Sequence, residues 1–390
     1  MRRTSVLIAA LGLLVFVQVA QAQWTPARRI TWSSVYSYDP AIAVDASGNL
    51  HVLYQRKPDY SSDIYYVKST NGGATWTSSQ RLSWSYSLAN LKALSIDSSG
   101  NLHVVWRDLR HSDYGEIYYK RTMNQGTTWQ TGKILAQGGE RGVGSPHIAV
   151  DSSNNLHVVY SIYHISEEGD GDIYYKKSTN GGVTWTTKRL SWTSGFLGNA
   201  RLAVDSLDNL HLVWAYETAG AVYVYYKKST DGGATWTAMR RIGWDWECAD
   251  VLRIAVDPSD NIYLVWNFSI EGEGGLVCRK STDRGATWSK GQFLTATPKP
   301  PLMGANIAVD PSGKVHLVWR DNIPWFSEIY YMKSVDGGVT WTSNKRLSWT
   351  SGLSYYPDIA ADPSGNLHLV WSDDTPGVNQ IYYKKFIKWE

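Results

Sequence analysis

The chain has 390 residues, with 38 basic and 35 acidic side chains and two cysteines. A balance this even argues against a nucleic-acid or membrane-surface binder, and two cysteines exclude a disulfide framework. The excess lies in aromatic side chains, 20 Trp and 25 Tyr, enough for one large core or for several packed sheets.

The first 22 residues read as an export signal. Arg2 and Arg3 form a basic start, Val6 to Val19 an apolar run, and Ala20-Gln21-Ala22 a small-residue cleavage site. The mature chain is expected to start at Gln23 and to be secreted or periplasmic. No later stretch is long enough to span a bilayer, so no membrane insertion is expected.

From Gln23 to Glu390 the chain repeats itself. An IAVD-x-SGNLHVVW segment occurs seven times, with aspartates at Asp45, Asp97, Asp151, Asp205, Asp257, Asp310 and Asp362, 52 to 54 residues apart. A turn of the type STNGGATW follows the first six, ending at Trp76, Trp129, Trp185, Trp236, Trp288 and Trp341. After it comes an RLSW-like run, as at Arg81 to Trp84. Each unit reads as four strands: A is IAVD, B is LHVVW, C is IYYKKS, and D ends at RLSW. Val, Ile, Tyr, Trp and Thr dominate them, as half-buried pleated surfaces prefer. Four strands repeated at this period predict an all-β fold, a seven-bladed β-propeller of antiparallel blades.

The ends of the repeat predict how the ring closes. Trp24 to Trp32 has the spacing of Trp76 to Trp84, a strand D with no A, B or C before it. The last repeat stops at Ile381 to Lys385, a strand C. The first strand is therefore expected to complete the last blade, removing its unpaired edge.

The S-x-(D/N)-x-G-x-T-W turns, Ser69 to Trp76 and its five counterparts, resemble the Asp-box, or bacterial neuraminidase repeat, of sialidase-like propellers. The Asp or Asn is expected to bond backbone N–H groups of its own turn, and the Gly to take a left-handed position. One carboxylate per loop, at Asp231, Asp283 and Asp336, is too few for a calcium cage, and no Cys/His metal spacing is present. No metal or cofactor is expected.

A–B turns and Asp-boxes fall on one face and vary little. The D–A and B–C loops fall on the other and differ from blade to blade, so the site is expected there, around the central channel. Four residues before each strand A aspartate, the ring reads Ala41, Ala93, His147, Arg201, Arg253, Asn306 and Asp358. Arg201 and Arg253 lie on adjacent blades, where both guanidinium groups reach one anion; the alternative pairs them with Asp250 and Asp358. Arg107, Arg320 and Asp373 at strand B exits complete the candidate ligand set. Asp63, Glu116, Asp172 and Glu328 recur before IYY and suggest repeated ion pairs. His51, His103, His157, His211, His316 and His368 share one strand B position and read as packing.

Trp32, Trp84, Trp192, Trp244 and Trp349 recur where strand D meets the D–A loop. They suit stacking against sugar rings; the alternative is packing between blades. Cys248 and Cys278 are a candidate disulfide in an oxidising compartment.

The expected function is carbohydrate binding through the variable face by a monomer, with a glycan or anionic sugar as partner. The sialidase resemblance implies an alternative, a glycoside hydrolase in which three arginines hold a sugar carboxylate: Arg201, Arg253 and Arg107 or Arg320, with Tyr355 or Tyr356 as nucleophile. The chain departs from that pattern, since Arg28-Arg29-Ile30-Thr31 lacks the R-I-P proline and seven compact units replace six with long insertions. Asp358, Asp373 and Glu328 offer a two-carboxylate route. A protein-interaction platform is the third reading.

Overall fold

The computed structural model describes residues 23–58, 61–164, 171–191, 196–218, 221–243, 252–270, 273–297, 303–323 and 326–387. These contain strands and turns and no helix. Blade 1 is formed by Tyr36–Val44, Leu50–Lys57, Asp63–Ser69 and Gln80–Arg81, in the order A, B, C, D from the axis outward. Blades 2 to 6 repeat this over 89–137, 142–189, 196–241, 252–297 and 303–346. Each strand A packs on those of the flanking blades, with Ser354–Ala361 of blade 7 against Tyr36–Val44 of blade 1, so the seven sheets form a ring.

Blade 7 closes as the repeat predicts. Its strands Ser354–Ala361, Leu367–Asp373 and Gln380–Ile387 are completed by two pieces from the start, Gln23–Trp24 and Arg28–Arg29. Trp24 pairs with Phe386 and Arg28 with Tyr383, and the Ile30 N–H donates to the Ile381 carbonyl at 2.8 Å. Pro26 lies in the gap between the pieces, where it has no N–H to offer a ladder.

Each pair of neighbouring blades shares an apolar layer, supplied largely by strand B, whose Trp106, Trp214, Trp319 and Trp371 are fully buried. The Asp-box locks these layers together. In blade 3 the Ser178 hydroxyl accepts from the Gly182 N–H, and the Asn180 side chain accepts from the Thr184 N–H, so the turn satisfies its own backbone. Gly182 has φ +84°, and a Cβ there would lie 2.2 Å from the Tyr119 hydroxyl of blade 2. The box tryptophan stands edge-on to the same tyrosine, Trp185 to Tyr119 at 5.3 Å between ring centres. Trp24 meets Tyr331 of blade 6 in the same way, at 5.3 Å. Such a pair adds about 1 kcal/mol beyond the area it buries.

The recurrent histidines do more than fill space. His157 contacts the Asp151 carboxylate through Nε2 at 3.1 Å and the Tyr175 hydroxyl through Nδ1 at 2.7 Å. A neutral ring donating from Nε2 and accepting at Nδ1 satisfies all three groups. The same Asp–His–Tyr chain runs through blades 1, 2, 4 and 7; in blade 6 His316 bonds the Tyr331 hydroxyl, but its Nε2 stands 3.5 Å from Asp310 without a hydrogen bond. Burial holds these imidazoles below their ordinary range, His51 at about 4.

Blade 5 departs from this chain. Tyr263 stands at the histidine position and donates directly to Asp257 at 2.9 Å, while Cys278 stands at the tyrosine position. Cys278 is a free, buried thiol among Tyr263, Leu317 and Trp319, pushed up to about 12 by burial. The disulfide expectation is corrected accordingly: Cys278 faces the apolar layer between blades 5 and 6, and Cys248 lies outside the described residues.

Candidate functional site

Six of the seven ring positions follow a bulge. The register between strands A and B shifts between Tyr38 and Ala41, Asn90 and Ala93, Gly144 and His147, Gly198 and Arg201, Met303 and Asn306, and Tyr355 and Asp358. The left-handed residue of the bulge is Asp39 (φ 51°), Asn199 (φ 54°), Gly304 (φ 65°) or Tyr356 (φ 51°). Three of these carry side chains in a conformation that costs about 1–3 kcal/mol each, a form of strain that gathers at binding sites.

The ring side chains are enclosed by the blades yet keep some accessible surface. Arg253 donates from Nε to Asn306 Oδ1 at 2.6 Å, and Asn306 donates to the Pro357 carbonyl at 3.2 Å. Asp358 accepts the backbone N–H groups of Ile42 and Ile359 at 2.8 and 2.9 Å. The Leu202 N–H donates to His147 Nδ1 at 3.3 Å. Among the described residues Arg201 donates only to its neighbour's carbonyl, Ala200, at 2.9 Å. Among the described residues neither Arg201 nor Arg253 has a carboxylate within ion-pair distance, so the expected alternative pairing with Asp358 does not form. Asp250 lies outside the described residues.

The electrostatics follow from this enclosure. Burial, then the charge of Arg253, pushes the Arg201 guanidinium down to about 9. Burial and both arginines hold His147 down to about 3, so it is neutral. Burial raises Asp358 to about 6. Two residues not foreseen from the sequence complete the mouth. Lys92, its side chain buried, bonds Asp39 at 2.8 Å. That pair cancels itself, and Arg201 and Arg253 outweigh Asp358 by one positive charge. The visible signal for these two was their place, one and two residues before the ring positions Ala93 and Ala41.

The strand B residues stand one strand farther from the axis. Arg320 lies over the Tyr355 ring at 5.0 Å. Arg107 Nε is buried without a hydrogen-bond partner. The charges that shift Arg201 are those of Arg253, Asp39 and Asp358. Asp373 is fully buried and accepts from Ser354, Thr350, Trp371 and Thr375, which leaves it no role toward a ligand. Asp63, Asp172 and Glu328 pair with the strand D arginines Arg81, Arg189 and Arg346, while Glu116 takes His111 and Gln137 instead.

Trp32, Trp84 and Trp349 are exposed, at 74%, 54% and 74% of their surface, which removes the blade-packing alternative for them. Each lies beside the arginine three residues earlier: Arg29 on Trp32 at 3.5 Å, Arg81 on Trp84 at 5.8 Å, Arg346 on Trp349 at 4.2 Å. Trp192 and Trp244 lie outside the described residues.

Comparison with known proteins agrees with this architecture. Residues 193–370 match a BNR repeat-like domain. A Paenibacillus xyloglucanase is 24% identical over 282 residues, 61% of this chain, and the match spans only a quarter, 25%, of that enzyme's length. A Hadza microbial sialidase superposes with a TM-score of 0.56 at 16% identity, over 86% of this chain and 75% of that one. A polysaccharide lyase of family PL25, an ulvan lyase bound to -[GlcA(1-4)Rha3S]-, gives 0.61 at 12% identity, over 91% and 95%. The chain thus has the fold of sialidase-like propellers, with a BNR repeat-like match over residues 193–370.

Proposed function

We propose that this propeller binds carbohydrate at the mouth of its channel, with the carboxylate of an anionic sugar between Arg201 and Arg253. The observation that carries the reading is the pair itself: two guanidinium groups from adjacent blades, enclosed, and without a carboxylate at ion-pair distance among the described residues. A cation destabilised by burial and a like charge gains when an anion arrives, and that gain is available to binding. The related architectures are those of carbohydrate-active proteins, which makes a sugar the natural bearer of that anion. The basic start and apolar run of residues 1–22 support export of the chain to where glycans are met.

Binding rather than hydrolysis is favoured by the acids. Both oxygens of Asp358 hold backbone N–H groups, Asp373 is buried, and Glu328 is bonded to Arg346 and Ser348. Tyr355 lies under Arg320, with no carboxylate among its hydrogen-bond partners in the described set. A glycan array with neutral and acidic sugars, run beside a fluorogenic glycoside panel, tests the reading. Retention of acidic sugars without turnover, lost in Arg201→Ala and Arg253→Ala, supports it. Turnover of any glycoside would replace it with the hydrolase, and retention of no sugar would sink both.

A further inference from the structure

The three exposed tryptophans form a second site that the channel reading does not use. They lie at one structural position on consecutive blades, Trp349 on blade 6, Trp32 on blade 7 and Trp84 on blade 1, each where strand D leaves for the D–A loop on the channel-mouth face. Most other tryptophans here are buried or half-buried, so large exposure of all three is a departure to be explained. Each indole rests against an arginine, and two of those arginines are held from below by carboxylates, Arg81 by Asp63 and Arg346 by Glu328. Trp84 also takes the Lys120 ammonium at 5.0 Å, yet all three indoles keep more than half of their surface exposed. Tyr86, in the loop after Trp84, and Tyr36, which opens strand A after Trp32, are exposed as well.

We infer that this arc binds an extended neutral polysaccharide, sugar rings spaced along one chain stacking on Trp349, Trp32 and Trp84. The apolar C–H face of a pyranose matches an indole, and its hydroxyls find the adjacent guanidinium. Separate, repeated platforms suit a repeating ligand, whereas a protein partner needs a continuous apolar patch. Charge separates this site from the channel: Asp63 and Glu328 neutralise two of the three arginines, so the arc selects by stacking and not by net charge. Three weak platforms on one rigid ring add their free energies along a single chain.

The test is native affinity electrophoresis of the mature chain in gels containing hydroxyethyl cellulose or xyloglucan, with polygalacturonate as the acidic probe. Retardation in a neutral gel is expected, insensitive to added salt, weakened about five-fold by each Trp→Ala change and abolished in the triple variant. Trp→Phe changes should restore part of it. Arg201→Ala with Arg253→Ala should leave it unchanged, so failure here and failure of the channel reading are told apart. The exposed positions should leave the melting temperature within a few degrees of the parent. Retardation only in polygalacturonate, none in either neutral gel, or full retardation of the triple variant would overturn the inference. So would a dimer that the triple variant dissociates, since the arc would then be a contact between copies.

Discussion

Tyr263 and Cys278 of blade 5 divide between them the work that a histidine and a tyrosine do in each of the other six blades. The tyrosine reaches the strand A aspartate directly, and its ring lies 3.1 Å from where a Cβ on Gly338 would sit, filling the space beside the next Asp-box. The small thiol leaves that space open. The two differences are one adaptation.

Coupling between these positions is therefore expected. Cys278→Tyr alone should crowd the Tyr263 ring and cost about 2 kcal/mol, and Tyr263→His alone should leave a void at similar cost. The double variant rebuilds the Asp–His–Tyr chain and should return close to the parent. Urea unfolding of all four proteins gives the interaction energy, expected to exceed about 1 kcal/mol in favour of the pair. Additive losses would show that the positions are independent.

The Asp-box glycines should be far less replaceable than those of the A–B turns. Gly182→Ala meets the Tyr119 hydroxyl at 2.2 Å with φ at +84°, so both space and backbone oppose it, and a loss of about 3 kcal/mol or more is expected. Gly48 has a similar φ of +78° but open space around it, and Gly48→Ala should cost only about 1 kcal/mol. Thermal melting of the two variants distinguishes steric conflict from backbone strain.

Stability should fall with acid in a definite window. His51 and its five counterparts are held below 6.5 by burial, and His147 further still. An imidazole depressed in the folded state lets the unfolded chain take up more protons. Its contribution is whole above about 6.5 and drains away as pH falls toward about 4, the folded value for His51. Asp358, raised to about 6, acts in the opposite sense in that interval, as do Asp321 and Glu328, also raised by burial, but they are three groups against seven. The melting temperature is expected to drop steadily from pH 6.5 to pH 4, and a flat profile would contradict the neutral assignment.

Removing residues 23–31 should undo the last blade. The deletion strips Trp24 from Tyr331 and Ile30 from its buried place, and exposes the outer edge of Gln380–Ile387. A loss of about 5 kcal/mol or more and concentration-dependent association through the bare edge are expected, measured by unfolding and light scattering.

The period of the repeat made the blades and their closure legible, because strand, turn and box recur with their chemistry intact. The ring positions were legible for the same reason: Arg201 and Arg253 break a column that an alanine occupies in blades 1 and 2. Their pairing state was not, since it depends on Asp39 being taken by Lys92 and Asp358 by backbone N–H groups. The histidines looked like packing because one position was read at a time. The informative signal was joint, the loss of His and Tyr together at Tyr263 and Cys278. Asp373 looked available beside a strand exit, and only the folding back of Thr350 and Thr375 shows that its oxygens are taken. The exposure of Trp32, Trp84 and Trp349 was equally unreadable, because the same W-containing repeat unit also supplies buried tryptophans.

The strand pieces at Gln23 and Arg28 set a timetable for synthesis. Six sheets can form as they emerge, each against the one before, but the seventh waits for its last strand while the segment that must meet it has been made first. Until Ile387 is available, that early segment is an unsatisfied ribbon and the nascent disc an open arc with two bare flanks. The strand Gln380–Ile387 thus decides when the molecule stops being adhesive, and a chain stalled or clipped before it forfeits far more than the missing length.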